Sequence, residues 1–234
     1  MRIPNFRLHN VGTPKAVRRV PVNGISLTGE FLGQEFESSL ERDLLYLTYW
    51  DRSLDWFQVQ PVTIEYLDSS GRLKSYTPDL LVSFNQKGPS KGKKPHLCEV
   101  KYKADLSTNW NEYYPKFKAA VAYARSQGWI FKIYTEDKIR IPLLANIKFL
   151  WRYQFGGSYP AHEERLLTKL IELKMATIGE LIDACYPPIL KTARGEALWS
   201  LWSLIANQHF SCDLSVHLSH NTKIHLSPNS PHII

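Results

Sequence analysis

The stretch SYTPDLLVSFNQKGPSKGKKPHLCEVKYK, residues 75–103, decides the fold because it predicts two neighbouring β-strands that carry charged groups. The strands cover residues 75–84 and 95–103. Apolar residues follow the acid of the first strand and surround the acid of the second, a pattern that suits the middle of a buried sheet. Residues 85–94 between them are rich in Gly, Pro, Ser and Lys, which is typical of a surface turn.

Three charged side chains on these strands predict a metal site. Glu99 and Lys101 are two residues apart, so they should share one side of their strand, with Val100 buried behind them. Asp79 on the neighbouring strand can reach the same edge. Two carboxylates and an ammonium on rigid strands can bind Mg²⁺ and orient a water for phosphodiester hydrolysis. The alternative is an ordinary surface Glu–Lys pair, but charges inside apolar runs are costly unless they are paired or bound to metal.

A third metal-site group is expected on an amphipathic helix over residues 35–50, and Glu41 is the candidate. Glu41 also fits a purely structural role, because Ser38 and Glu41 have the spacing of a capping box. Periodicity alone favours the cap. Three other acids compete for the site role on the same helix: Glu35, Glu37 and Asp43.

The chain resembles a known family in the order of four segments, SLERDLLYL, FQVQPVTIEY, YTPDLLV and EVK. This order resembles the TnsA-type transposon-end endonucleases of the PD-(D/E)xK superfamily, which shares the restriction-endonuclease fold. The resemblance covers residues 31–136 or so. It implies that Glu41, Asp79 and Lys101 stand at the family's helix glutamate, strand aspartate and lysine. Glu99 stands where the superfamily has Asp or Glu. Some TnsA proteins have glutamine at this position, so the chain follows the broader superfamily pattern here.

The resemblance also implies a mechanism and partners. Asp79, Glu99 and the Val100 carbonyl would hold Mg²⁺, for which Mn²⁺ can substitute, and Glu41 would complete or support a second metal position. Lys101 would orient the water. The activity implied is cleavage of one strand at the 5′ ends of a transposon for excision, in the bacterial cytoplasm. The implied partners are transposon-end DNA, a DDE-type transposase subunit and an AAA+ transposition ATPase.

The positive charge is concentrated in the part of the chain with these motifs. Of the net charge of +7, residues 1–153 carry +8, from 23 Lys and Arg and 15 Asp and Glu, and residues 154–234 carry −1, from 6 and 7. A basic surface attracts a phosphate backbone without sequence selectivity. The candidate phosphate contacts are Lys87, Lys91, Lys93, Lys94, Lys103, Lys116 and Lys118.

Three segments are predicted. Residues 1–29 form a basic arm suited to DNA or a partner protein, with the cations Arg2, Arg7, Lys15, Arg18 and Arg19. Residues 30–155 form the α/β endonuclease domain, a restriction-endonuclease-like mixed sheet flanked by helices. Its further elements are a strand at 62–66 that pairs with 75–84, a helix at 110–126, a parallel strand at 129–135 and a helix at 143–153.

Residues 156–234 have the element order of a small winged-helix-like domain, namely three helices and a β-hairpin. The elements are helices at 161–174, 178–185 and 192–207 and strands at 210–218 and 223–226. The third helix is aromatic and nearly neutral, whereas a helix that reads DNA bases carries several exposed polar or basic residues. Because Trp199 and Trp202 cannot both be buried against one small sheet, we expect one of them to anchor a protein partner.

Other features bound the function class. The chain has no run of about 18 apolar residues and starts without an apolar signal segment, so a membrane span and secretion are not expected. Cys98, Cys185 and Cys212 are far apart, which favours reduced structural thiols. Two alternatives to the transposase subunit stay open: a stand-alone restriction- or repair-type nuclease, and a non-catalytic DNA-binding assembly protein with a nuclease fold.

Overall fold

The computed structural model describes residues 29–31 and 34–228, so the cations predicted for the N-terminal arm lie outside the described residues. The chain divides into two compact units, residues 1–139 (unit 1) and 140–234 (unit 2). The predicted domain boundary at 155/156 therefore differs from the structural division. Among the helices of the described ranges, none combines the length and apolar character needed to cross a membrane.

Unit 1 contains eight strands and three α-helices within its described residues. In chain order they are β1 (Gly29–Phe31), β2 (Gln34–Phe36), α1 (Ser39–Trp50), β3 (Leu54–Val59), β4 (Ile64–Leu67), β5 (Leu73–Tyr76), β6 (Leu80–Phe84), β7 (His96–Val100), α2 (Lys103–Ser126), β8 (Ile130–Tyr134) and α3 (Glu136–Ile139). A single 3-10 turn, Gly88–Ser90, lies in the loop between β6 and β7.

A mixed four-stranded sheet with the order β3-β6-β7-β8 forms the centre of unit 1. β6 runs antiparallel to both β3 and β7, and β7 runs parallel to β8. The parallel pair is joined through α2, as the predicted strand–helix–strand order requires. This mixed sheet with its helices fits the nuclease-like fold that the resemblance implies.

Helix α1 begins later than predicted, because β2 occupies the start of the predicted range. Ser38 caps the helix: its side-chain oxygen accepts a hydrogen bond from the Glu41 N–H at 3.1 Å. The apolar stripe of the helix is buried through Leu40, Leu44 and Leu45.

The predicted hairpin is confirmed between β4 and β5, but the predicted strand 75–84 is two strands in the structure. β5 pairs with β4 in a separate two-stranded sheet, whereas β6 joins the central sheet. Pro78 lies between them, and proline cannot donate a hydrogen bond to a strand ladder. β3, which the sequence did not predict as a strand, is the antiparallel neighbour of β6.

Helix α2 begins at Lys103, earlier than predicted, and is interrupted by non-helical dihedral angles at Asn109. Its inward face packs Phe117, Ala120 and Ala124 into a core with Leu81 of β6 and Leu97 of β7. Burial of these apolar groups fixes the helix against the sheet. The helix therefore holds its inward side chains close to the strands that carry the predicted site.

Unit 2 consists of four helices and a three-stranded antiparallel sheet in its described part. They are α4 (Pro142–Phe155), α5 (Pro160–Leu173), β9 (Met175–Thr177), α6 (Ile178–Cys185), α7 (Lys191–Ala206), β10 (Phe210–Cys212) and β11 (Lys223–Leu226), with the sheet order β10-β11-β9. Thr177 and Glu180 form a capping box at the start of α6. The predicted strand 210–218 is shorter, because Asp213 accepts a 2.8 Å hydrogen bond from the Ser215 N–H and forms a local turn.

Both tryptophans predicted as partner anchors pack against other aromatic rings within unit 2. Trp202 is only 8% exposed, and its ring lies 5.0 Å from that of Phe149. Trp199 is half-buried; its ring lies 4.7 Å from that of Tyr153, and its Nε1–H donates to the Gly157 carbonyl at 3.0 Å. The prediction considered burial against the small sheet alone. Helix α4 provides a second surface, which accommodates both rings.

Candidate active site

The ends of β6 and β7 bring Asp79, Glu99 and Lys101 together, as the sequence predicts. The Lys101 Nζ lies 3.1 Å from the Glu99 Oε1, and Val100 between them is 5% exposed. The Val100 N–H donates a 2.6 Å hydrogen bond to the Asp79 Oδ2. This bond links the acid before β6 to the end of β7, so the three groups share one edge of the sheet.

Backbone hydrogen bonds fix Asp79 between two strands. The Asp79 N–H donates to the Cys98 carbonyl at 3.1 Å, and the Asp79 carbonyl accepts from the Gln60 N–H at 2.9 Å. Asp79 is therefore held by the residue that follows β3 and by β7 together. A carboxylate fixed in this way is preorganised for binding a ligand.

Burial and repulsion between carboxylates together set the electrostatics of this edge. Burial and the neighbouring Glu99 raise the pKa of Asp79 well above its usual range, and Glu41 raises it further. Burial lowers the pKa of Lys101, but Asp79 and Glu99 outweigh this effect and raise it. Lys101 is thus a fixed cation between acids that repel each other.

Glu41 combines the two roles that its sequence position allows. Its carboxylate accepts hydrogen bonds from the Glu37 N–H at 2.9 Å and from the Ser38 hydroxyl at 2.8 Å, so it does cap the helix. It also lines a small cavity with Asp79 and Val100. Burial raises the pKa of Glu41, and Lys101 opposes this shift. The capped Glu41 is therefore close enough to Asp79 and Lys101 for its charge to interact with theirs.

Two residues around Glu99 were missed in the sequence. The Tyr76 hydroxyl donates a 2.5 Å hydrogen bond to the Glu99 Oε2, and the Lys116 Nζ lies 3.3 Å from the Glu99 Oε1. The sequence assigned Lys116 to DNA, whereas the structure places it on Glu99. A signal was present: Lys116 adjoins Phe117 and follows Tyr113 by three residues, on the side of α2 that faces the core.

The remaining predicted phosphate contacts have different environments. Lys93 stacks on the Phe84 ring at 3.5 Å and lies 3.5 Å from Asp51, and Lys103 pairs with Asp137 at 2.9 Å. These pairings compete with a phosphate for the two cations. Lys103 is nevertheless exposed to solvent, as are Lys87, Lys91, Lys94 and Lys118.

The donor set fits a hard divalent cation with few protein ligands. No three His, Cys, Asp or Glu side chains converge on one metal position within residues 29–31 and 34–228. Asp79, Glu99 and the Val100 carbonyl nevertheless offer oxygen donors along one edge. Mg²⁺ is commonly held by one or two carboxylates, with water and substrate phosphate as its other ligands. The residues present are compatible with that arrangement.

Comparison with known proteins identifies the domain around this site. No curated protein matches the chain. Residues 51–136 match the family model described as TnsA-like endonuclease N terminal. The matched segment includes Asp79, Glu99 and Lys101 and begins after Glu41. Over residues 51–136 the chain is therefore similar to the N-terminal domain of TnsA-like endonucleases, which agrees with the resemblance found in the sequence.

Proposed function

We propose that this chain is the metal-dependent endonuclease subunit of a heteromeric transposase in the bacterial cytoplasm, and that it cleaves one DNA strand at each 5′ end of the transposon. The observation that carries the proposal is the meeting of Asp79, Glu99 and Lys101 inside the segment that matches the TnsA-like family. A DDE-type subunit would process the other strand.

In this proposal Asp79 and Glu99 hold Mg²⁺ with help from the Val100 carbonyl. The bound ion would supply a polarised water and neutralise charge on the reacting phosphate. Burial, and after it the charge of Glu99, raises the pKa of Asp79, and this supports the role because a divalent cation relieves the repulsion between the two carboxylates. Glu41, on the same cavity as Asp79, supports a second cation position.

Lys101 orients the attacking water and donates to a phosphate oxygen. Its Nζ already lies 3.1 Å from both the Glu99 Oε1 and the Val100 carbonyl, so it is held next to two of the proposed metal ligands. A fixed ammonium stabilises charge that develops on a phosphate without any reorganisation at the moment of reaction.

Unit 2 is proposed as a winged-helix-like module that docks onto the AAA+ transposition ATPase. Its order of elements, α5-β9-α6-α7-β10-β11, supports the module, and the net charge of −1 over residues 154–234 favours a protein partner over DNA. Ile189 and Leu190, between α6 and α7, are 85% and 47% exposed. These adjacent apolar groups replace the packed tryptophans as the proposed anchor.

The decisive experiment is cleavage of a transposon-end duplex by the full chain, with and without the DDE subunit and ATPase, across a Mg²⁺ titration. Nicks confined to the 5′ ends, dependent on metal and on the partner subunits, are expected. Partner-independent cleavage of bare DNA would favour a stand-alone nuclease instead. Assembly on DNA without cleavage under any metal condition would favour the non-catalytic alternative.

A further inference from the structure

The Glu99 carboxylate has three donors around it although it lies inside the protein. Glu99 is 1% exposed. Its Oε2 accepts from the Tyr76 hydroxyl at 2.5 Å, and its Oε1 faces the ammonium groups of Lys101 at 3.1 Å and Lys116 at 3.3 Å. An ionised carboxylate offers about four acceptor positions, of which three are used here.

Lys116 reaches Glu99 from helix α2 through an aromatic enclosure. Its Nζ lies 4.4 Å from the ring centre of Tyr113, 4.8 Å from that of Tyr76 and 5.2 Å from that of Phe117. Its side chain is 16% exposed. Aromatic faces attract a cation, most strongly where water is excluded. The lysine is thus held in place beside Glu99 and is poorly placed to swing out to solvent.

We propose that Lys116 is a tethered cation that neutralises Glu99 while no metal is bound and competes with the divalent metal for this carboxylate. Tyr76 is the positioning residue that holds the same carboxylate from its other oxygen. The inference rests on the proposed function, because it takes Glu99 as a metal ligand. It assigns to Lys116 a role in metal affinity in place of a contact with DNA.

The signs of the expected effects follow from charge. A divalent cation that approaches Glu99 is repelled by the Lys116 ammonium, so removal of this charge favours the metal. Tyr76 is neutral, so its loss brings no such gain and releases the orientation of the carboxylate. Structural damage around the site would weaken metal binding whether Lys116 or Tyr76 is replaced. Competition instead predicts tighter metal binding without the Lys116 charge and weaker metal binding without the Tyr76 hydroxyl.

Calorimetric titration of the full chain with Ca²⁺ and with Mn²⁺ measures these signs without cleavage. Lys116→Met should bind metal about tenfold more tightly than the wild type, and Lys116→Gln should shift in the same direction. Lys116→Arg keeps the charge and should stay near the wild type. Tyr76→Phe should bind up to about tenfold more weakly. Arg125→Met, at an exposed position on the last turn of α2, should leave the affinity unchanged.

Thermal unfolding gives an independent reading. Without metal, Lys116→Met should have a lower melting temperature than the wild type, because Glu99 loses a neighbouring cation. Added Ca²⁺ should raise the melting temperature of this variant more than that of the wild type. Unchanged or weaker metal binding in folded Lys116→Met and Lys116→Gln would overturn the inference. If the wild type binds metal in an Asp79-dependent manner in that case, the proposed function survives. Absence of Asp79-dependent metal binding in the wild type would overturn both.

Discussion

The Asp79 carboxylate accepts a 2.6 Å hydrogen bond from the Val100 N–H, so an acid before one strand is tied to the end of the next. Burial raises the pKa of Asp79, and Glu99, which precedes Val100, raises it further. The bond orients Asp79 while the neighbouring charge opposes its ionisation. The geometry of the site is therefore maintained at the expense of stability in the metal-free protein.

Asp79→Asn should raise the stability of the metal-free protein, because the amide keeps an acceptor for Val100 and removes the repelled charge. A raised carboxyl pKa in the folded state means that wild-type stability falls as pH rises from the unfolded pKa through the folded one. The stability of the variant should therefore fall less as pH rises than that of the wild type. Its cleavage rate should drop on the order of a thousandfold.

Urea unfolding in EDTA at several pH values, beside a cleavage assay with the partner subunits, measures both effects. Asp55→Asn, at an exposed position on β3, is the matched control and should change neither. Near wild-type cleavage by Asp79→Asn would refute the assignment.

Glu41→Gln and Ser38→Ala separate the two roles that Glu41 combines. Glutamine can still accept from the Glu37 N–H, so melting should change little, while the loss of charge should reduce cleavage on the order of a hundredfold. Ser38→Ala removes the cap and should cost about 1 kcal/mol of stability with cleavage largely retained. Equal cleavage by Glu41→Gln and the wild type would leave Glu41 as a cap alone.

The sequence correctly predicts that Glu99 and Lys101 lie close together, because the alternation of side chains along a strand places both on one side. It also predicts α1 and the helices of unit 2 closely, since caps and apolar periodicity are local signals. The division of residues 75–84 between two sheets was not predictable in this way, because it depends on which strand each half pairs with.

The contacts of Glu99 and of the two tryptophans were not predicted from the sequence, for a similar reason. Tyr76 reaches Glu99 from a strand of another sheet, and Lys116 reaches it from a helix beyond the site. Trp199 and Trp202 are covered by α4, which the sequence assigned to the preceding domain. Contacts between distant segments decide all four positions. Among them only Lys116 had a local signal, its place on the core-facing side of α2.

Exposed lysines should govern the salt dependence of DNA binding. Replacing Lys91 and Lys94 by glutamine should reduce the slope of log affinity against log salt by up to about 2, if each contacts one phosphate. Lys93→Gln is the matched comparison from the same loop; it should instead lower stability, because Lys93 stacks on Phe84 and lies near Asp51. Fluorescence anisotropy over a range of salt concentrations, beside thermal melting, distinguishes the two classes. An unchanged slope in the Lys91, Lys94 double variant would exclude that loop from the DNA interface.

His96 should make unit 1 sensitive to acid. Burial, reinforced by Lys132 and Lys93, lowers the pKa of His96 to about 4, from an ordinary value of 6.5. The neutral imidazole makes its full contribution to the free energy of unfolding above pH 6.5. This contribution is lost as pH falls toward 4, and the loss is at most about 3 kcal/mol. His96→Gln should remove this loss, and His225→Gln, at an exposed position, should not. Chemical unfolding between pH 4 and 7 measures it; identical acid sensitivity in His96→Gln and the wild type would contradict the prediction.

The two apolar sites of unit 2 should separate docking from stability. Ile189→Glu combined with Leu190→Glu adds charge to residues that are already exposed, so the melting temperature should hold while retention of the AAA+ ATPase in a pull-down is lost. Trp202→Ala empties a buried position and should cost about 3–5 kcal/mol, with docking retained under conditions where the protein stays folded. Circular dichroism melts of both full-length variants accompany the pull-down. Retained ATPase binding by the glutamate variant, together with specific loss in folded Trp202→Ala, would return the anchor to the tryptophan.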